Sequence, residues 1–198
     1  MTVDVPRCRW VNLKNPLYVS YHDHEWGVPV YDERELFELL SLEGAQAGLS
    51  WETVLNKREG YRDAFVGFDV DAVAAFGQTD VDRLVRNPGI VRHRLKIEAV
   101  ISNARAIQVM RDSPEPFAEF VWSFVDGSPR DNGYDHHNDI PTTTAESDGM
   151  SVALRRRGFK FVGPTICYAF MQAAGLVNDH TRDCYLFAGK SQTPNSTQ

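Results

Sequence analysis

Apolar residues recur at three- and four-residue spacing along most of the chain, and no apolar/polar alternation holds long enough to require a sheet. The pattern predicts an all-α domain of many short to medium helices. Asn15 before Pro16 reads as an N-cap and first turn, opening a helix that carries Tyr18, Tyr21, His22 and Glu25 on neighbouring turns. Asp32 with Glu35 is a capping-box variant, and further helix starts fall at Ser50, Asp69, Thr79 and Pro116. A long amphipathic stretch covers 90–110. Met150 to Arg157 reads as a helix ended by Gly158, and a second helix opens at Gly163-Pro164 and runs to Gly175. Between Asp126 and Thr144, Gly, Pro, Asn and His crowd into one long irregular loop. Residues 1–190 are expected to form one domain with room for two lobes, and 191–198 a disordered tail.

One position breaks the helical pattern. Glu43 stands on the stripe Leu36, Leu40, Glu43, Ala47, where a leucine would be expected, so a carboxylate is aimed at a core or a pocket. Burying an ionised carboxylate costs several kcal/mol unless a partner charge, hydrogen bonds or a ligand compensate. Three of the four tryptophans (Trp10, Trp26, Trp51) and four of the seven tyrosines (Tyr18, Tyr21, Tyr31, Tyr61) lie in the first 61 residues. An acid among many aromatics suggests a pocket for something flat and cationic.

At 198 residues and 42% hydrophobic, the chain can bury one sizeable core, and no Pro/Gly/Ser-rich linker divides it. No apolar run approaches 18 residues and no secretory leader is recognisable, so the expected location is the cytoplasm, with no membrane contact. Three cysteines argue against a disulfide scaffold and leave metal binding open. The net charge of −6 is uneven: from Ser151 onward six basic residues meet two acids, giving +4 there and −10 before it. A second basic cluster, Arg92, His93, Arg94 and Lys96, precedes the stripe Ile97, Ile101, Ala104. Each cluster suits phosphates or simply a solvated helix face.

Helix, tight apolar-glycine turn, helix is the order of a helix-hairpin-helix. The N-terminus of its second helix would offer unpaired N–H groups and a positive dipole end to a phosphate, and Gly163 would let the backbone approach. Lys160, Val162 and Gly163 are the candidate DNA contacts on this turn, although an ordinary helical hairpin in a core has the same pattern. Phe161 stands where many such hairpins carry another glycine. Cys8 and His22 near the start, with His180 and Cys184 near the end, form a donor set suited to tetrahedral Zn²⁺. Four protein ligands leave no open position, so such a site would be structural, tying the two chain ends together. The spacing of Cys8 and His22 matches no compact zinc finger, and four unconnected buried residues is the competing reading.

These segments together resemble the bacterial 3-methyladenine DNA glycosylase I family. The resemblance runs from about Cys8 to about Lys190, through Tyr-His-Asp-His-Glu-Trp-Gly-Val-Pro at 21–29, Leu-Glu-Gly-Ala-Gln-Ala-Gly-Leu-Ser-Trp at 42–51, Arg-Gly-Phe-Lys-Phe-Val-Gly at 157–163 and Gly-Leu-Val-Asn-Asp-His at 175–180. Arg9 and the 126–139 loop depart from the family's pattern. The resemblance implies a helix-hairpin-helix glycosylase fold with structural zinc on Cys8, His22, His180 and Cys184. It implies Glu43 as the catalytic, base-recognising acid, Trp10, Tyr18, Tyr21, Trp26 and Trp51 as pocket walls, and Leu49 as the wedge filling the gap left by an extruded nucleotide.

The implied partner is double-stranded DNA containing alkylated bases, with free 3-methyladenine as product, handled by a monomer. No lysine is placed to form a Schiff base, so no strand-cleaving step is expected. Asp179 lies near the place where helix-hairpin-helix glycosylases commonly carry an aspartate, and is expected instead to orient the metal ligand His180. The competing reading is a DNA-binding module without chemistry. A zinc hydrolase is disfavoured by the closed ligand set.

Overall fold

The computed structural model describes residues 5–187. Ten α-helices lie among them: α1 Pro16–His24, α2 Glu33–Gln46, α3 Trp51–Leu55, α4 Arg58–Ala64, α5 Val70–Ala74, α6 Gln78–Leu84, α7 Arg94–Arg111, α8 Phe117–Trp122, α9 Ala145–Arg156 and α10 Pro164–Ala173. The expected tail at 191–198 lies outside the described residues.

Local chemistry sets most boundaries. Asn15 caps α1 by accepting from the amides of Leu17 and Tyr18, with Pro16 in the first turn. Asp32 caps α2 through the Glu35 amide, Ser50 caps α3 through Thr53, and Asp69 caps α5 through Ala72. Three expectations are corrected. α6 begins at Gln78 behind Gly77 rather than at Thr79. α9 begins at Ala145 rather than Met150, because Thr144 and Ser147 form a reciprocal capping box upstream of Gly149. The helical fold also contains a two-residue parallel pairing, Arg130 with Val177 and Asp131 with Asn178, too short to leave an alternation in the sequence.

From Leu36 to Ala45 every residue of α2 is buried, so this helix runs through the core rather than along its surface. α3, α7, α8 and α10 pack around it. The main apolar cluster spans Leu36 to Val177, and a smaller one gathers Cys8, Val11, Tyr18, Tyr21, Trp26, Leu55 and Cys184. Trp51 packs against both clusters, which places the pocket described below where they meet. The buried Glu38 of α2 is neutralised by Arg58 at 2.6 Å and Arg62 at 2.9 Å. Where α2 ends, Lys96 of α7 donates to the carbonyls of Ala45 (2.8 Å) and Ala47 (2.6 Å), satisfying acceptors that a helix terminus leaves open.

α9 and α10 form the predicted hairpin. Gly158 terminates α9 at φ +89°, and Phe161 adopts φ +53° in the turn, a conformation glycine takes freely and phenylalanine does not. Asn103 of α7 clamps the turn, accepting from the Lys160 amide (2.8 Å) and donating to the Lys160 carbonyl (3.1 Å). Phe161 rests on Gly44 of α2, where an added Cβ would come within 3.4 Å of it. The hairpin is thus braced one residue away from Glu43.

Candidate active site and metal centre

A cavity of about 340 Å³ opens between α1, α2, α3 and α10, and Trp10, Tyr18, Tyr21, Trp26, Glu43 and Trp51 all line it. That volume falls in the range of small-molecule sites. The rings interlock: Trp10 lies 4.9 Å from Trp26 and 5.5 Å from Tyr18, and Tyr21 lies 5.1 Å from Trp51, all in tilted or edge-on arrangements. Glu43 is 3% exposed. Its carboxyl makes no hydrogen bond among the described residues, and its buried Oε2 and the buried Trp51 Nε1 are left without partners. A third such atom, Ser41 Oγ, faces a small void behind α2 rather than this cavity. Native proteins rarely leave buried polar atoms unpaired, so two of them on one cavity wall mark a place where a ligand makes the missing bonds. Burial pushes the Glu43 carboxyl up to about 8. Burial, followed by Glu52 and Glu43, pushes the Tyr18 phenol up to about 12.

The rest of the lining carries no such signal in the sequence. It consists of Gln46 at the end of α2, Thr165, Tyr168, Ala169 and Gln172 of α10, and His137, Ile140, Pro141 and Thr142 from the long loop. These side chains are ordinary for a helix face or a loop, and only the α10 spacing of three and four residues hinted that they share a face. The loop that departs from the family's pattern therefore contributes to the pocket itself.

Leu49, 42% exposed, sits on the turn between Gln46 and Trp51, after Gly48 at φ +79°. Lys160 is exposed on the hairpin turn, and Gly163 caps α10 two residues before the pocket-lining Thr165. Hairpin and cavity therefore share one helix. Val162 is 2% exposed and its carbonyl accepts from Ser151 at 2.6 Å, so its backbone N–H is the group it can offer a phosphate.

Cys8, His22, His180 and Cys184 come together, with their four ligand atoms within 4.8 Å of one another and all four residues buried. Each sulfur lies 3.5 Å from an imidazole nitrogen: Cys8 Sγ and Cys184 Sγ from His180 Nδ1, and Cys184 Sγ from His22 Nε2. A tetrahedron with zinc–sulfur bonds near 2.3 Å and zinc–nitrogen bonds near 2.05 Å has sulfur–nitrogen edges of about 3.6 Å, so the donor set fits the ion. Hydrogen bonds from Cys8 and both imidazoles hold the Cys184 thiol far below its ordinary value, whereas the bond to Cys184 and burial push Cys8 up. A cation bound here would take these sulfurs as thiolates, so its binding would release protons.

The other nitrogen of each ring is also engaged. His22 Nδ1 pairs with Asp23 at 2.8 Å, itself gripped by Arg7, and His180 Nε2 lies 3.2 Å from the Trp26 carbonyl. Burial raises the Asp23 carboxyl, but Arg7 and His22 outweigh it and bring it to about 2. Asp23, not Asp179, is the carboxylate paired with a histidine of this cluster. Asp179 instead accepts from Asn132 (2.7 Å), the Tyr168 hydroxyl (2.7 Å) and Gln172 Nε2 (2.8 Å).

Together these features define a class: a helical protein with an acid-bearing aromatic pocket beside a helix-opening turn suited to phosphate. Comparison with known proteins narrows it, because residues 10–187 match the methyladenine glycosylase family model and the chain belongs to that family. It is 56% identical over 183 residues to DNA-3-methyladenine glycosylase 1 of Escherichia coli K12, covering 92% of this chain and 97% of that protein. A crystal structure of 3-methyladenine DNA glycosylase I superposes with a TM-score of 0.89 at 58% identity, covering 91% of this chain and 98% of the other. A single-residue variant of 3-methyladenine DNA glycosylase I, crystallised with 3-methyladenine, superposes at 0.84 with 42% identity, covering 87% and 92% of the two chains.

Proposed function

We propose that this protein is a DNA-3-methyladenine glycosylase of base-excision repair, a hydrolase that cleaves the N-glycosidic bond of 3-methyladenine in alkylated duplex DNA. The observation that carries this reading is the unpartnered Glu43 carboxyl inside a pocket lined by six tryptophan and tyrosine side chains, on a protein whose relatives bear that name. A base held inside the duplex must be flipped out to be processed. The free N–H groups of Gly163 and its neighbours would hold the backbone, with Lys160 and nearby arginines adding attraction, and Leu49 would fill the vacated stack.

N3-alkylation makes the adenine ring cationic and weakens its bond to the sugar, so selection of the cation is the main task. Each aromatic wall favours a cation by roughly 0.5–2 kcal/mol. Glu43 would hydrogen-bond the exocyclic amine and give up its proton as the cation arrives, since an adjacent positive charge favours the carboxylate. No lysine lines the cavity among the described residues, in keeping with base removal without strand cleavage.

Cys8, His22, His180 and Cys184 would hold Zn²⁺, which when bound supplies cross-linking of the chain's two ends rather than chemistry. The reading further takes residues 1–190 as one domain acting as a cytoplasmic monomer. No helix among the described residues is long and apolar enough to cross a membrane. The test is release of free 3-methyladenine from methylated duplex DNA, with 7-methylguanine as internal comparison. Selective release of 3-methyladenine is expected. Folded, zinc-loaded protein that releases neither base would turn the assignment to a non-catalytic DNA-binding module.

A further inference from the structure

Resting on that reading of the pocket, we propose that Gln172 is a second ligand-contacting residue, presenting its Oε1 as a hydrogen-bond acceptor to the bound base, and that Asp179 is the positioning residue that fixes this orientation. Asp179 is fully buried and takes hydrogen bonds from Asn132, Tyr168 and Gln172. A carboxylate accepts and does not donate, so only the NH₂ end of the Gln172 amide can face it at 2.8 Å. The carbonyl end must then turn the other way. Oε1 has no partner among the described residues, and Gln172 lines the cavity that Glu43 enters from α2.

Depth along α10 agrees with this role. Gly163 opens the helix, and of the two cavity-lining residues Thr165 and Gln172 the latter lies about 10 Å further along the axis at 1.5 Å per residue. Two acceptors lining one cavity would favour a purine edge rich in N–H donors, and an exocyclic amine supplies two. Asn132 anchors the long loop to the same carboxylate, so Asp179 ties both halves of this wall together.

The test is titration of zinc-loaded protein with free 3-methyladenine, followed by tryptophan fluorescence, with metal content and thermal stability measured in parallel. Gln172→Met keeps the side-chain length and removes the acceptor, and should weaken binding roughly five- to tenfold. Asp179→Asn should cause a similar loss, and the double variant should bind no more weakly than either single one, a coupling that a merely structural Asp179 would not produce. Wild-type affinity in Gln172→Met overturns the contact. Additive losses, or an Asp179→Asn variant that loses stability but not affinity, overturn the positioning role. Gln172→Met leaves the bonds of Asp179 to Asn132 and Tyr168 intact, so it decides the contact even where Asp179→Asn does not fold. Failure of the wild type itself to bind 3-methyladenine removes the pocket reading and this inference together.

Discussion

Burial lifts the Glu43 carboxyl from 4.5 to about 8, which favours its neutral form at neutral pH. Between those two values the folded chain keeps a proton that the unfolded chain has released. Stability therefore falls as pH rises through that window and levels off above it. Glu43→Gln removes the dependence, and should be more stable than wild type at pH 8.5 by up to a few kcal/mol while matching it near pH 5. Urea unfolding at the two pH values checks this, and identical pH profiles would show that Glu43 does not hold its proton. The same variant should bind 3-methyladenine more weakly and excise it more slowly while remaining folded, whereas full activity would remove Glu43 as the recognition acid. Gly175 is a second position with a sharp consequence. It sits at φ +68°, and an added Cβ would lie 2.3 Å from the Val28 carbonyl carbon. Gly175→Ala should cost about 3 kcal/mol or more, measurable by the same unfolding experiment.

The hairpin turn owes its shape to α7 as much as to its own residues, because Asn103 holds both backbone groups of Lys160. Asn103→Ala should weaken binding of undamaged and alkylated duplexes alike by severalfold, while free 3-methyladenine binds as before. Anisotropy with duplexes and fluorescence with the free base separate the two effects, and an equal loss in both would mean that the clamp shapes the pocket instead. Elements opened by a capping side chain were legible in the sequence: Asn15, Asp32, Ser50 and Asp69 all begin helices where their chemistry places them. The start of α9 was not, because Ser147, Asp148 and Gly149 interrupt the apolar pattern and the Thr144–Ser147 box carries no glutamate to announce it. Phe161 shows the opposite case: the turn keeps a glycine-like backbone under a side chain that hides it.

Across the whole molecule, an acid on an apolar stripe and a local crowd of aromatics announced a pocket within residues 10–61, but Tyr31 and Tyr61 of that crowd do not line it, and the individual walls among residues 10–51 followed from the family resemblance. The half drawn from 137–172 was not legible, since Thr165, Ala169 and Gln172 become site residues only through a fold that brings them to α2. The metal set lies between these cases, its chemistry visible in the residue types and its closure visible only in space. One mole of zinc per mole of protein is the expected content, and fully folded protein purified without chelators that holds no zinc would exclude the ion. Cys8 and Cys184 lie 176 positions apart in sequence and within one ligand shell in space. Bridging them turns an open chain into a ring. By the entropy estimate used for cross-links, closing so large a loop removes about 5 kcal/mol of freedom from the unfolded chain. A contact between positions so far apart in sequence depends on the intervening helices being assembled, so the transition state for folding should lack it. Stripping the metal should therefore accelerate unfolding far more than it slows refolding, making the ion chiefly a determinant of how long each folded molecule lasts.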